Sequence, residues 1–177
     1  RWLVGAGMAV RGHCLVWPSW KHLPKDLPAL KDDPQALRRR IREHILDVAG
    51  SARGMLVDWD VINEAYTNHD LMDILGREAM VEWFHLAREA DPRATLYIND
   101  FQIIAGGGTN KAKQDFYYDT IKYLIDSGAP IGGIGLQCHF GSAPTPPERA
   151  LAILDRFAAL GLDLKITEFD VQTPNEQ

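Results

Sequence analysis

Two glutamates stand where apolar, strand-like runs end. Leu56, Val57, Trp59, Val61 and Ile62 lead into Asn63-Glu64, and Leu162, Leu164 and Ile166 lead into Thr167-Glu168. A buried strand that stops in this way delivers a carboxyl group to the rim of a fold. Two carboxyl groups carried by separate strands suit the cleavage of an acetal: one gives a proton to the leaving oxygen, and the other acts from the opposite side of the anomeric carbon. One must hold its proton at the working pH while the other is ionised. If they lie about 5–5.5 Å apart, the second is a nucleophile and configuration is retained.

Polar residues recur at other strand ends: His13 and Trp17, Asn99 and Asp100, Gln137 and His139, and Asp170. Asn63, beside one glutamate, can hydrogen-bond a sugar hydroxyl. Asp170 can orient the His139 imidazole, which in turn holds the Glu168 carboxylate. Trp17 and Trp20 offer flat faces for pyranose rings. Taken singly, these residues have plainer readings: a Glu after a strand is usually a cap or a solvated loop residue, and a lone His is usually structural. Trp83, on a helix face, reads as core packing. A divalent-metal site built from His13, Glu64, His139, Glu168 and Asp170 is the rival chemistry. It has no His-x-His pair and no cysteine ligand set behind it. No Gly-x-Ser-x-Gly elbow supports a serine nucleophile.

Positioning these groups takes five strands, expected at 8–16, 56–62, 95–98, 134–137 and 162–166, with helical patterns between them. Asp33-Pro34 predicts a helix start, with Leu37, Ile41, Ile45 and Val48 on one face. A second helix is expected over 77–90, ended by Asp91-Pro92. Thr109 is expected to cap a third, and Thr145-Pro146-Pro147-Glu148 reads as a capping box for a fourth. After Asp170 the sequence runs out in a polar tail. Strands alternating with helices imply a parallel sheet. The repeat of roughly 30–47 residues suits a (β/α)8 barrel, whose active sites lie at the C-terminal ends of the strands. No Gly-x-Gly-x-x-Gly follows a strand, which weakens a dinucleotide-binding reading.

The 177 residues read as one domain, 1–177. Net charge is −5, and the only basic run, Arg38-Arg39-Arg40, lies in a helical pattern, so nucleic acid is a poor partner. No apolar run approaches the ~20 residues of a membrane span. Cys14 and Cys138 have no metal-ligand spacing and read as buried free thiols.

The segments Arg11-Gly12-His13 with Leu15-Val16-Trp17, then WDVINEA, LYINDF, IGLQCHF and ITEFDV, resemble the successive strand-end signatures of glycoside hydrolase family 10. That family consists mostly of retaining endo-1,4-β-xylanases on a (β/α)8 TIM barrel. The resemblance spans almost the whole chain. It implies an incomplete barrel carrying strands three to seven, with strands one, two and eight absent. It implies Glu64 as acid/base, Glu168 as nucleophile, Asn63 as a contact to the substrate 2-hydroxyl, and His139 and Asp170 as support for the nucleophile. His13, Trp17, Trp20, Gln137 and Asn99 are the expected substrate-binding residues. Xylan is the implied partner. No cofactor or metal, a monomer, and a secreted or cell-surface location for the full-length protein go with it. Another β-1,4-glycan, decorated xylan, or a fragment that only binds carbohydrate are the alternatives, and the isolated chain is expected to turn over little.

Three stretches depart from the family pattern. Trp17-Pro18-Ser19-Trp20 stands where WHSQ is common, Phe101-Gln102 where Tyr-Asn is usual, and Cys138 where Gly is common. None touches the two glutamates.

Overall fold

Residues 2–141 and 144–172 are described by the structure, a computed structural model; the polar residues 173–177 lie outside them. The elements follow in the order α1 (Trp2–Gly5), β1 (Arg11–Val16), α2 (Pro34–Ser51), β2 (Asp58–Asn63), α3 (Asp70–Leu75), α4 (Ala79–Ala90) and β3 (Thr95–Asp100). Then come α5 (Lys111–Asp126), β4 (Gly133–Leu136), β5 (His139–Phe140), α6 (Pro147–Ala158), β6 (Asp163–Ile166) and β7 (Asp170–Val171).

Five strands pair in the order β1-β2-β3-β4-β6, all parallel and each joined to the next by at least one helix. Parallel neighbours require such crossovers, because strands running the same way cannot be joined by a tight turn. These are consecutive staves of a (β/α)8 barrel, with β1 and β6 as the edges of the described sheet. The register sets the site: Asn63 is opposite Asn99, and Asn99 is opposite Gly135. The short strands β5 and β7 pair separately and set His139 opposite Asp170.

The apolar core lies between sheet and helices. Leu37 and Ile45 of α2, Trp83 and Phe84 of α4, Tyr117 of α5 and Phe157 of α6 are fully buried there. Each such side chain stabilises the fold by about 1.5–3 kcal/mol. The opposite face of the strands carries charge. Arg11 Nε donates to Asp58 Oδ1 at 2.5 Å and Nη2 to Asp60 Oδ1 at 2.7 Å, and Lys165 also pairs with Asp58. Both cations lie over the Tyr97 ring, Arg11 at 5.3 Å and Lys165 at 4.9 Å from its centroid. Gly133 leaves room for that ring, since a Cβ there would lie 2.1 Å from it.

Local signals held in part. Asp33 Oδ1 accepts from the Ala36 amide, the N-cap bond expected of Asp33-Pro34. Strand limits shift by up to three residues, and the second helix begins at Ala79 rather than at 77. The short helix α3 was not anticipated. Two caps differ from expectation. Asn110, not Thr109, caps α5, its Oδ1 accepting from the Lys113 amide, while Thr109 Oγ1 donates to the Gly106 carbonyl. The capping box at Thr145 does not form: α6 begins at Pro147, and Thr145 Oγ1 donates to the Ile104 carbonyl at 2.5 Å. A tertiary acceptor has outcompeted the local amide for one hydroxyl proton.

Candidate active site

Glu64 directly follows β2, and its backbone turns sharply there, at φ 59°. A non-glycine residue in this left-handed region costs roughly 1–2 kcal/mol. Two backbone bonds hold it: the Glu64 amide donates to the Asn99 carbonyl at 2.8 Å, and the Asn68 amide donates to the Glu64 carbonyl at 3.0 Å. The turn lifts the side chain off the strand end, where Gln137 Nε2 donates to Glu64 Oε1 at 3.0 Å and Asn68 Nδ2 to Oε2 at 3.2 Å.

Glu168 follows β6 by one residue. Asn99 Nδ2 donates to its Oε1 at 2.8 Å, and His139 Nε2 lies 3.2 Å from its Oε2. His139 Nδ1 lies 2.7 Å from Asp170 Oδ2. With a carboxylate at each nitrogen, the imidazole is surrounded by acceptors, and this favours the doubly protonated ring. The bond to Asp170 is the main cause raising its pKa above the ordinary value near 6.5; burial opposes it, and Glu168 adds to the rise.

The two glutamates are linked through buried amides. Asn63 Oδ1 accepts from both Gln137 Nε2 and Asn99 Nδ2, each at 3.2 Å. The path therefore runs Glu64, Gln137, Asn63, Asn99, Glu168. Asn63 Nδ2 is buried and has no partner among the described residues. A donor left unmade in this way costs about 1–3 kcal/mol. It is a buried hydrogen-bonding arm of the network that no described residue takes up.

A match to the model of glycosyl hydrolase family 10 runs over residues 2–177. The chain belongs to glycosyl hydrolase family 10. A β-1,4-xylanase of Dictyoglomus thermophilum is 36% identical over 177 residues, covering 93% of this chain and 47% of that protein. Among solved structures, a family 10 xylanase of Thermobacillus composti is 36% identical with a TM-score of 0.82, covering 97% of this chain and 50% of the other. Xylanase 10B of Thermotoga maritima is 35% identical with a TM-score of 0.85, covering 96% and 52%. The chain spans about half the length of each of these three proteins.

Within this family 10 chain, five expected residues (Glu64, Glu168, Asn63, His139 and Asp170) come together in one bonded cluster. Gln137 and Asn99 join it, with their amide N–H groups turned to the carboxyl groups and to Asn63. Asn99 is fully buried, Gln137 nearly so, and the amide N–H groups of both are committed within the cluster. They brace the carboxyl groups, because residues facing inward at successive strand ends meet each other before they meet a ligand.

His13 Nδ1 lies 3.0 Å from Asp60 Oδ2 and 3.9 Å from Glu168 Oε1. Its pKa is raised, chiefly by the bond to Asp60, against burial. Trp17 meets His13 edge-on at 6.3 Å, but one indole face is taken by His22, stacked at 3.7 Å and 13°. Trp20 is half-buried against the apolar core, and its amide donates to Asp70.

Asp60 escaped sequence reasoning. The signal was present: Asp58 and Asp60 alternate with Trp59 and Val61 inside a buried strand, and buried carboxylates must be paired. The metal rival also changes. The structure gathers His13, Asp60 and Glu168, with ligand atoms within 4.8 Å of one another. Asp60 Oδ1 is already held by Arg11, and Glu168 Oε1 by Asn99, so a cation there meets an N–H donor on each carboxylate. Cys138 takes φ 64°, a left-handed conformation that glycine adopts without a steric penalty. Both thiols are free, and burial pushes them up, Cys14 to about 12 and Cys138 to about 11, so they stay protonated near neutrality.

Proposed function

We propose that the protein is a retaining endo-1,4-β-xylanase in which Glu168 is the nucleophile and Glu64 the acid and then the base. The observation that carries this reading is the pair of carboxyl groups at the ends of β2 and β6, each held by side-chain donors and joined through one buried amide path. Its membership in family 10 and the xylanase names of its relatives support the same reading.

In the first step an oxygen of the Glu168 carboxylate bonds to the anomeric carbon. The bond from that carbon to the leaving oxygen breaks, and the leaving oxygen takes the proton of Glu64. In the second step the Glu64 carboxylate takes a proton from water, the water oxygen bonds to the anomeric carbon, and the Glu168 carboxylate departs. The free Asn63 Nδ2 is suited to donate to the sugar 2-hydroxyl, a bond that strengthens as positive charge builds on the ring. His139, held by Asp170, lies against Glu168 Oε2 and is suited to fix the orientation of that carboxyl group. His13 and the open face of Trp17 are suited to the sugar on the non-reducing side of the cut. Both carboxyl groups come from one chain, so a monomer suffices. Xylan is a polymer, so we infer that the enzyme meets it at or outside the cell surface. No described helix is long and apolar enough to cross a membrane.

The test is substitution in the full-length protein. Glu168→Ala lowers xylan hydrolysis by roughly 10⁴-fold or more; release of reducing sugar at the parent rate overturns the mechanism. Glu64→Ala slows poor leaving groups far more than activated aryl xylosides, which need little protonation. Equal losses on both remove Glu64 from the acid role.

A further inference from the structure

We propose that Thr167 is a positioning residue for the nucleophile, acting through Asn99. Thr167 Oγ1 donates to Asn99 Oδ1 at 2.8 Å, and Asn99 Nδ2 donates to Glu168 Oε1 at 2.8 Å. Two consecutive residues thus grip opposite ends of one amide. They can do so because the backbone beneath them is pinned to the neighbouring strand: the Thr167 amide donates to the Leu136 carbonyl at 3.0 Å and the Glu168 amide to the Gln137 carbonyl at 3.1 Å.

The amide has two orientations of nearly equal shape but opposite consequence. With nitrogen toward Glu168 it donates to the carboxylate; reversed, it sets an oxygen lone pair against a negative charge. The hydroxyl of Thr167 gives Asn99 Oδ1 a donor on the far side from Glu168. That bond holds the plane of the amide and polarises it, so the N–H facing Glu168 is the better donor. Asn99 is fully buried, and Thr167→Val fills the place of the hydroxyl with a methyl group, so Asn99 Oδ1 loses that donor. The second support of the carboxylate is separate: His139 bonds the other oxygen, Oε2, and is itself held by Asp170. Thr167 therefore governs one oxygen of Glu168 and His139 the other.

In a two-step mechanism this grip acts mainly on reactivity. A carboxylate free to rotate still leaves the sugar's binding groups in place, but it reaches the anomeric carbon in the productive geometry less often. The inference rests on Glu168 being the nucleophile, and the experiment separates the two. Thr167→Val, equal in shape and lacking the hydroxyl, and Thr167→Ser, which keeps it, are compared in the full-length protein on an aryl xylobioside. Thr167→Val is expected to lower kcat roughly 10-fold with KM changed less than about twofold. Thr167→Ser returns kcat to near the parent value. In double mutants Thr167→Val adds little to Asn99→Ala, which already lacks the amide, but combines independently with Asp170→Asn, which weakens the other oxygen's support. If the valine variant does not fold, alanine against serine gives the same comparison. Parent kcat in the hydroxyl-free variant, or a serine variant as slow as valine, overturns the proposal. If that happens while Glu168→Ala is inactive, the positioning role fails alone; if Glu168→Ala is active, the nucleophile assignment fails as well.

Discussion

The Asn99 side chain reaches Glu168 across an intervening strand, its Nδ2 lying 2.8 Å from the Glu168 Oε1. Asn99 lies on β3 and Glu168 follows β6, with β4 between them. The crossing passes over Gly135, the register partner of Asn99, where an added Cβ would sit 2.5 Å from Asn99 Oδ1. One missing methyl group on β4 therefore permits the contact that holds the expected nucleophile.

Gly135→Ala is accordingly expected to push the Asn99 amide off Glu168. The backbone there does not have positive φ, so the strand itself tolerates alanine. We expect kcat to fall by roughly 10-fold, with a destabilisation of about 1–3 kcal/mol from overpacking. Steady-state kinetics and thermal unfolding of the one variant measure both. Unchanged kcat would mean that the amide finds another route to the carboxylate.

The raised pKa of His139 makes a stability prediction with a definite sign. A histidine whose folded-state value lies above the unfolded one stabilises the fold fully below about 6.5, and that contribution disappears as pH rises through the folded value. Asp170 is the main cause of the rise, so Asp170→Asn should lower the melting temperature more at about pH 5.5 than at about pH 9. Melting curves at the two values decide it. An equal loss at both would assign Asp170 a role unrelated to the imidazole.

Asp100 and Lys113 form a buried ion pair at 2.7 Å, with Lys113 Nζ 3.2 Å from the centroid of the Phe101 ring. Burial raises Asp100 to about 6, against the pull of Lys113, and burial lowers Lys113. Removing one partner strands the other, so Lys113→Met should destabilise by about 3–5 kcal/mol, whereas Lys113→Met with Asp100→Leu should recover much of it. A carboxyl whose value is raised on folding loses stability as pH rises through that value. The single variant should therefore lose more at about pH 8 than at about pH 5. Chemical denaturation of the parent, the single variant and the double variant gives the comparison, and a double variant no more stable than Lys113→Met would contradict the pairing.

Trp17 carries His22 on one face. Trp17→Ala should raise KM for xylo-oligosaccharides several-fold and leave kcat on the aryl xylobioside within about twofold, since a stacking surface binds ground and transition states alike. Oligosaccharides of increasing length measure it. A loss confined to kcat would place Trp17 closer to the reacting atoms.

Much of the site could be read locally. Runs such as Val61-Ile62 and Leu164-Lys165-Ile166 announce strands because β-branched and apolar side chains favour a buried pleated surface. The polar residue that ends each run marks the rim. Cap and loop chemistry was less readable, because hydroxyls are promiscuous donors: Thr145 bonds Ile104 rather than the first turn of its own helix. Asn99 and Gln137 were recognisable as site residues, but not as braces, since an amide beside a strand end is the same letter whether it faces a sugar or a neighbour.

By itself the sequence determined the alternation of strands and helices, the placing of two glutamates at strand ends, and the family to which the chain belongs. These follow from periodicity and from side-chain chemistry carried within short stretches. Only the tertiary structure decided that Glu64 and Glu168 share a buried amide path, that Asp60 holds His13, that His22 covers one face of Trp17, and that Gly135 leaves the gap Asn99 crosses. Each of these is set by strand register and by the curvature of a sheet. Both bring residues from distant parts of the chain within hydrogen-bonding distance, and no local pattern encodes the reach of one side chain over another strand.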